Sequence, residues 1–385
     1  MTTRKIIFTT GIRSDYFIQN PIIKSVAQHS SLEVELIVTG AHLSKNLGYT
    51  ASEIYQDGHN VVAEISSLFS HGNQSDRAKG AAIQLQKIIE VFVKRKPDFI
   101  ISPYDREESI VTALAGVYLD IPVAHLGAGD RTRVNVDGII RHSVSKLAHL
   151  HFCSTNENAV RLLKMGEEEF RVKVVGHSAV ERYESIPLIS EQRLSKYLGI
   201  QINEKPLIVV IQHPVSNFLE FTRRHISTTL DAIAEINLPT VIIRPNSDPG
   251  AEVINNELDS YKFNNNMVKV FNNMPDKYFV NMLKRASILV GNSSMGVAEA
   301  PYLKLPVVNI GQRQKDRQNA GNIIFVNHNK DEIITAVKKS LYDREYRSII
   351  GSLQNPYIGG AGDKIAKILS EIEINRKLLN KITTY

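Results

Sequence analysis

Three aspartates are the residues best suited to acid–base chemistry. Asp105 directly follows an apolar run, Asp130 closes a glycine-containing turn after another such run, and Asp137 precedes Arg141 and His142. Carboxylates near the end of a strand can be tuned by their neighbours to take or give a proton. This grouping predicts acid–base catalysis on a small ligand. The alternative for Asp137 and Arg141, four residues apart, is an ordinary ion pair on one helix face.

A second candidate site is the turn Gly291-Asn292-Ser293-Ser294, which follows an apolar run and leads into a helical pattern containing Glu299. Hydroxyls and the free N–H groups of a helix start bind phosphate, and a carboxylate can hold the two hydroxyls of a ribose. The turn is therefore typical of nucleoside diphosphate binding, although no Gly-Lys-Ser/Thr follows as in a Walker loop. The alternative is a plain serine N-cap on a buried helix.

Other candidates also follow predicted strands. Arg13 and Asp15 lie beside a glycine turn and suit a phosphate or a sugar, or else a capped helix start with a surface arginine. His42 lies at a strand end, where a single histidine is more often structural. Arg313 and Arg317 follow a later strand and are candidates for contacting a diphosphate.

The elements that position these residues are short apolar strands separated by helical stretches. In the first half the predicted strands are Lys5–Thr10, Glu33–Thr39, Asp98–Ser102, Pro122–Leu126, His149–Ser154 and Val172–Gly176. In the second half they are Leu207–Gln212, Thr240–Arg244, Val268–Phe271, Ser287–Gly291, Pro306–Ile310 and Ile323–Val326. Strands that are apolar on both faces are typical of parallel sheets covered by helices. The pattern predicts an α/β protein of two Rossmann-like, doubly wound domains facing a cleft.

We predict an N-terminal Rossmann-like domain at 1–177, a nucleotide-binding Rossmann-like domain at 178–365 and a C-terminal helix at 366–385. The helical pattern of this last part begins at Ala361 and continues to Thr383. Ligands of open α/β sheets bind beyond the carboxyl ends of the strands, so the candidate residues above lie where chemistry is expected.

Composition narrows the class of protein. The chain has 385 residues, a formal net charge of +6 and one cysteine. One cysteine excludes a disulfide framework and any multi-cysteine metal site, and we expect no metal and no cofactor. No apolar run is long enough to span a membrane, and the basic pairs lack the interleaved aromatics of a nucleic-acid site. We therefore expect a cytoplasmic protein that binds neither membrane nor nucleic acid.

The motifs together resemble one enzyme family, the hydrolysing UDP-N-acetylglucosamine 2-epimerases of bacterial sialic and legionaminic acid synthesis. The resemblance runs from about Lys5 to Ala366. It rests on Gly11…Arg13-Ser14-Asp15-Tyr16, Gly40-Ala41-His42-Leu43, Asp105-Arg106, Asp137…Ile140-Arg141-His142, Gln212-His213-Pro214-Val215, Gly291-Asn292-Ser293-Ser294…Glu299 and Gly311…Arg313-Gln314. His42–Thr50 is most similar to the legionaminic branch.

The resemblance implies a glycosyltransferase-B-like fold, a homodimer and a UDP-sugar substrate. The implied reaction is anti elimination of UDP to a 2-acetamidoglucal, followed by hydration with inversion at C2. The family's acid and base positions match Asp105 and Asp137, with His213 added from the second domain. The implied substrate contacts are the remaining motif residues: Arg13, Asp15, His42, Arg141, His142, Gly291, Asn292, Ser293, Ser294, Glu299 and Arg313.

The chain departs from the family at one expected carboxylate. The family usually reads His-Ile-Glu-Gly-Gly-Glu where this chain has His125-Leu126-Gly127-Ala128-Gly129-Asp130, so Gly127 replaces the first Glu. Pro103-Tyr104 also replaces the usual His-Gly before Asp105. Either Asp130 supplies the missing group, or the substrate or reaction differs. A glycosyltransferase or lyase on the same fold, and a UDP-sugar-binding protein with impaired catalysis, are the alternative functions.

Overall fold

The computed structural model describes residues 3–69, 73–132, 135–202, 204–263 and 266–384. The chain forms two compact units. Unit 1 comprises Met1–Arg131, Val136–Arg182 and Ile358–Tyr385, and unit 2 comprises Thr132–Asn135 and Tyr183–Tyr357. The first border therefore lies after Arg182, where the sequence predicts it after residue 177, and the last residues of the chain belong to unit 1.

Unit 1 is built on a seven-stranded sheet in the order β3-β2-β1-β4-β5-β6-β7, with every described pair of neighbours parallel. The strands are β1 Arg4–Thr10, β2 Leu32–Thr39, β3 Val61–Ile65, β4 Phe99–Ser102, β5 Val123–Leu126, β6 Leu150–Cys153 and β7 Val172–Val174. Ile6 and Phe8 pack in one core cluster and Ile7 in another. Because successive side chains of a strand point to opposite faces, both faces of this sheet are buried.

The helices of unit 1 flank this sheet. They are α1 Arg13–Gln28, α2 Ala51–Gln56, α3 Gln74–Arg95, α4 Glu107–Tyr118, α5 Val136–Leu147, α6 Asn156–Lys164 and, across the border, α7 Ala179–Ser185. The C-terminal part adds α15 Ala361–Glu371 and α16 Arg376–Leu379. The single helix predicted for Ala361–Thr383 is therefore two helices. They are separate because Ile372 and Ile374 pack against the core and Asn375 caps the N-terminus of α16.

Unit 2 has a six-stranded parallel sheet in the order β10-β9-β8-β11-β12-β13. The strands are β8 Ile208–Ile211, β9 Thr240–Ile243, β10 Val268–Phe271, β11 Ile288–Gly291, β12 Val307–Ile310 and β13 Ile323–Val326. The helices are α8 Glu191–Leu198, α9 Thr222–Ile236, α10 Ala251–Ser260, α11 Asp276–Arg285, α12 Met295–Ala298, α13 Lys330–Tyr342 and α14 Arg344–Ser352. In both units the strand order reverses beside the first strand, where open α/β sheets bind ligands.

Candidate active site

Arg141 joins two of the three candidate aspartates of unit 1. It lies in α5, is 5% exposed, and its guanidinium forms ion pairs with Asp105 after β4 and with Asp130 after β5, the latter at 2.9 Å. Burial alone would lower the pKa of Arg141, but the two carboxylates raise it above its ordinary value, so the guanidinium stays charged. Residues from three elements thus meet at the carboxyl ends of β4 and β5.

Asp137, the third aspartate, lies in the first turn of α5 and is also buried. Its Oδ1 is 3.7 Å from an Nη of Arg77, which belongs to α3 and also pairs with Glu107 at 2.7 Å. Arg77 is in none of the sequence motifs, because nothing in the helical pattern of α3 distinguishes it from a surface arginine. Its contacts place a positive charge between two carboxylates of the site.

Tyr104 occupies the space beside Gly127. Gly127 has φ 69°, and a Cβ added to it would lie 2.8 Å from Cδ1 of the Tyr104 ring. Tyr104 itself has φ 46°, in the left-handed region that side chains rarely adopt. The two departures from the family pattern are therefore in contact: a side chain at 127 would require the Tyr104 ring to move.

His125 holds the loop that carries Tyr104. Its Nε2 lies 2.7 Å from the carbonyl oxygen of Tyr104, and its Nδ1 lies 3.2 Å from the hydroxyl of Ser145 in α5. Burial lowers the pKa of His125 to about 3, so the ring is neutral. His125 thereby links β5, α5 and the loop before Asp105.

Glu108 lies against two glycine turns. A Cβ added to Gly11, after β1, would lie 1.9 Å from Oε1 of Glu108, and one added to Gly40, after β2, would lie 2.9 Å from it. Burial raises the pKa of Glu108 to about 7. The negative charge of the neighbouring Glu107 also raises it, whereas the positive charge of Arg106 lowers it. The backbone of both turns can approach this carboxyl so closely because Gly11 and Gly40 have no side chain.

The other candidates of unit 1 have partners within the protein. The two nitrogens of the His42 ring lie 3.0 and 2.8 Å from the hydroxyls of Thr10 and Thr50. Burial lowers the pKa of His42 to about 3, and the positive charge of Arg13 also lowers it. Arg13 pairs with Glu53 at 2.8 Å. This geometry gives His42 a part in holding the turn after β2.

Asp15 and His142 lie in α1 and α5. Asp15 is in the first turn of α1, where a carboxylate is favoured by the helix dipole. His142 is half-buried beside Arg141, and burial followed by the charge of Arg141 lowers its pKa. Both are placed at the edge of the sheet where the aspartates lie.

In unit 2, Asn292 fastens together the ends of two neighbouring strands. Its side chain accepts a hydrogen bond from the backbone N–H of His213 at 2.7 Å and donates to the His213 carbonyl oxygen at 2.8 Å. Gly291 has φ 131°, and a Cβ there would lie 2.1 Å from the carbonyl oxygen of Ile211. The glycine is therefore required for the close approach of the turns that follow β8 and β11.

The carbonyl oxygen of Asn292 connects this turn to the basic loop after β12. It accepts hydrogen bonds from Arg313 and from Gln314, each at 3.0 Å. Arg317 donates to the side chain of Gln314 at 2.7 Å. Two arginines are thereby held beside the Gly291–Ser294 turn, as a diphosphate site requires.

Glu299 and the two serines are placed differently from the sequence-based expectation. The helix after the turn is a single turn, Met295–Ala298, with Ser294 as its N-cap and Glu299 as its C-cap. Ser293 accepts a hydrogen bond from the N–H of Met295 at 3.4 Å. Glu299 is buried and accepts one from the hydroxyl of Tyr183 at 2.7 Å. Tyr183 is a further residue that the sequence analysis missed.

Metal-binding clusters and membrane-spanning helices are both absent from the described parts of the chain. Among those residues no three His, Cys, Asp or Glu side chains lie close enough to bind a metal ion, and no helix is both long and apolar enough to cross a bilayer. Cys153 is buried, and burial raises the pKa of its thiol to about 12, so it is not a nucleophile.

The two parallel sheets, each with polar residues at its carboxyl edge, define a glycosyltransferase-B-like α/β protein. A solved structure with this fold is that of the UDP-GlcNAc 2-epimerase from Neisseria meningitidis bound to UDP-GlcNAc. Its TM-score is 0.80 at 20% sequence identity, with 95% of this chain and 99% of that chain covered. The predicted fold class is confirmed.

The sequence profile of the UDP-N-acetylglucosamine 2-epimerase family matches residues 24–370, and the chain belongs to this family. It is 29% identical over 384 residues to the UDP-N,N'-diacetylbacillosamine 2-epimerase (hydrolyzing) of Legionella pneumophila, covering 99% of this chain and 100% of that protein. It is 31% identical over 326 residues to the GDP/UDP-N,N'-diacetylbacillosamine 2-epimerase (hydrolyzing) of Campylobacter jejuni, covering 84% of each. The predicted family is confirmed.

Proposed function

We propose that this chain is a hydrolysing 2-epimerase of a UDP-linked N-acetylhexosamine. The observation that carries the proposal is the joining of Asp105 and Asp130 by Arg141, with Asp137 on the same helix. Removing the C2 proton needs a carboxylate base, and hydrating the resulting double bond needs an acid on the other face of the sugar. The names of the two bacterial relatives favour a 2,4-diacetamido-6-deoxy sugar over N-acetylglucosamine.

In the proposed reaction a carboxylate takes the C2 proton, the C1–O bond breaks and UDP leaves with its electron pair. Water then adds its oxygen to C1 of the glycal, and a proton returns to C2 from the opposite face. We assign the proton transfers to Asp105, Asp137 and Asp130, with His213 as a further candidate acid or base. Asp130 supplies the carboxylate absent at 127, because it already lies on the guanidinium that holds Asp105.

We assign UDP to unit 2. Arg313 and the Gly291–Ser294 turn would bind the diphosphate, and Glu299 the ribose hydroxyls. The hydrogen bonds of Asn292 support this role, since they fix the turn and the arginine loop in one arrangement. Arg13, Asp15, His42 and His142 complete the proposed substrate contacts from unit 1.

The test is incubation with each candidate UDP-sugar in deuterated water. We expect UDP and a free 2-epimerised sugar that carries deuterium at C2, in the absence of any acceptor. Release of UDP only with an acceptor would support a glycosyltransferase, and accumulation of the glycal would support a lyase. UDP binding without turnover of either sugar would leave a binding protein with impaired catalysis. An Asp105→Asn variant, expected to lose about 10²–10⁴-fold in kcat, is the control for contaminating activity.

We further propose that the protein is a cytoplasmic homodimer. The support for self-association is a set of exposed apolar side chains on two helices that pack together: Val93 of α3, with Val117 and Tyr118 of α4, the last 76% exposed. Light scattering that gives the mass of one chain at micromolar concentration would contradict the dimer, and fractionation of cells tests the location.

A further inference from the structure

The C-terminal segment 376–384 is fastened to unit 1 by buried basic side chains. Arg171 is fully buried and donates hydrogen bonds to the carbonyl oxygens of Lys377, Leu378 and Asn380 at 2.9, 2.6 and 3.1 Å. A guanidinium that meets three backbone carbonyls in one short stretch fixes the path of that stretch. The segment is therefore an integral part of unit 1.

Lys381, the next basic residue of this segment, caps the C-terminal end of α5. Its Nζ donates to the carbonyl oxygens of Ser145, Lys146 and Ala148 at 2.5, 3.1 and 2.9 Å. The last carbonyls of a helix have no partner within it, and a positive charge there is favoured by the helix dipole. A single side chain near the C-terminus of the chain thus provides both the hydrogen-bond donors and the positive charge that stabilise this helix end.

Glu167 fixes Lys381 in turn. Its fully buried carboxylate lies 2.6 Å from Nζ of Lys381, 3.1 Å from that of Lys146 and 2.9 Å from Nε2 of His151. Burial would raise the pKa of Glu167, but His151 and Lys381 lower it to about 2. Burial lowers the pKa of Lys381 to about 8, so its ammonium is still charged at neutral pH.

The helix capped in this way carries the candidate site. Arg141, one turn before the capped carbonyls, holds Asp105 and Asp130. Ser145 both offers its carbonyl to Lys381 and contacts His125, which holds the loop before Asp105. This end of α5 is therefore connected to both carboxylates through Arg141, and to Asp105 also through Ser145 and His125.

We propose that Lys381 is a positioning residue for the 2-epimerase reaction, fixing α5 so that Arg141 holds Asp105 and Asp130 in place. The inference rests on the proposed function. Lys381 contacts no candidate substrate residue directly, and it acts through the helix end and Glu167. Small displacements of catalytic groups lower the rate of the chemical step more than substrate binding.

The test compares Lys381→Met with Lys367→Met in the full-length protein. Lys367 belongs to the same unit but its side chain is 72% exposed and pairs only weakly with Glu371 across one helical turn. For Lys381→Met we expect kcat to fall about 10-fold or more with KM changed less than about twofold. Hydrogen exchange of the amides at 141–147 is expected to become at least about 10-fold faster, while Lys367→Met matches the wild type in both measurements.

Each outcome decides the proposal. Wild-type kcat in a folded Lys381→Met variant, or unchanged exchange in α5, would overturn it, and so would an equal loss in Lys367→Met. Lys381→Gln keeps hydrogen-bond donors without the charge, and it serves if the Met variant does not fold. A smaller loss in kcat is still expected from it, because the ion pair with Glu167 is removed. If the wild type itself turns over neither UDP-sugar, the proposed function fails. In that case the hydrogen-exchange measurement would still show whether Lys381 fixes α5.

Discussion

At the scale of single residues, the central contact of unit 1 is Arg141 with its two aspartates. A planar guanidinium can meet two carboxylates at once, whereas the compact ammonium of a lysine at the same position cannot span both. The position of Asp105 and Asp130 therefore depends on an arginine, and this dependence can be measured.

We expect Arg141→Lys to lower kcat/KM about 10²-fold, because one of the two carboxylates loses its partner. UDP affinity, which we assign to unit 2, should change less than about twofold. Steady-state kinetics and calorimetry with UDP measure the two quantities. Arg223→Lys, at a side chain that is 67% exposed and pairs with Glu257, is the matched control. Wild-type turnover in Arg141→Lys would contradict the role of the joined aspartates.

Tyr104 and Gly127 should behave as a coupled pair. Gly127→Glu puts a side chain at φ 69° and against the Tyr104 ring, so we expect the melting temperature to fall by about 5 °C or more. Adding Tyr104→Gly removes the ring and should recover at least half of that loss. Thermal melts of the two single variants and the double variant form the cycle. Effects that simply add would show that the two positions are independent.

Glu108 should make stability depend on pH. Its pKa in the folded protein, about 7, is above the ordinary value of 4.5, so the folded state binds this proton more tightly than the unfolded state does. Stability from this group is therefore full below pH 4.5 and is lost as the pH rises to about 7. Glu108→Gln should raise the melting temperature at pH 8 by about 2–4 °C relative to its effect at pH 4.5. A difference that is constant across this range would contradict the raised pKa.

At the scale of elements, the strands were the easiest features to predict. Twelve apolar runs match strands, because each is a short apolar stretch bounded by polar turns, and most of them are buried on both faces. β3, Val61–Ile65, is the one described strand that no predicted run matches; it lies at the edge of the sheet, and only Ile65 of its five residues is buried. The break between α15 and α16 was missed because Ile372 and Ile374 fit a helical pattern as well as the packed turn that they form.

Strand ends provided the clearest signal for the residues of the candidate site. Asp105 and Asp130 come directly after β4 and β5, and parallel strands bring their carboxyl ends to one edge. Arg77 and Lys381 come from α3 and from the end of the chain, so neither spacing nor residue type indicates that they meet α5. That the Tyr104 ring lies beside Gly127 could not be predicted, because no motif shows where this ring is placed.

The turn after β11 provides the prediction for unit 2. Asn292→Ala removes the two hydrogen bonds to the backbone of His213, so the turns after β8 and β11 lose their connection. We expect UDP affinity to fall about 30-fold, which corresponds to about 1 kcal/mol for each of the two bonds. Isothermal titration calorimetry measures the UDP affinity. The control is Asn327→Ala, since Asn327 is an exposed asparagine of the same unit and contacts Glu332. Equal affinities would place UDP elsewhere.

At the scale of the whole molecule, the described residues form two units, and the chain leaves unit 1 and returns to it. Arg171 is fully buried and donates hydrogen bonds to three carbonyl oxygens of the returning segment. We expect Arg171→Met to leave three carbonyls unpaired and to lower the stability of unit 1 by about 3 kcal/mol or more. UDP affinity should remain within about twofold. Hydrogen exchange at 375–384 and UDP titration test the two expectations separately, and slow exchange in this segment would contradict the first.

The return of residues 358–385 also determines the order in which the molecule can be completed on the ribosome. Synthesis of unit 2 ends at Tyr357, before the residues that cap α5 and meet Arg171 have been made. The larger part of unit 1, up to Arg182, is therefore synthesised before unit 2, and the end of α5 lacks its cap until the last residues of the chain follow. A nascent chain that ends at Tyr357 would hold an unfinished unit 1, and it would be a stage at which a chaperone is useful.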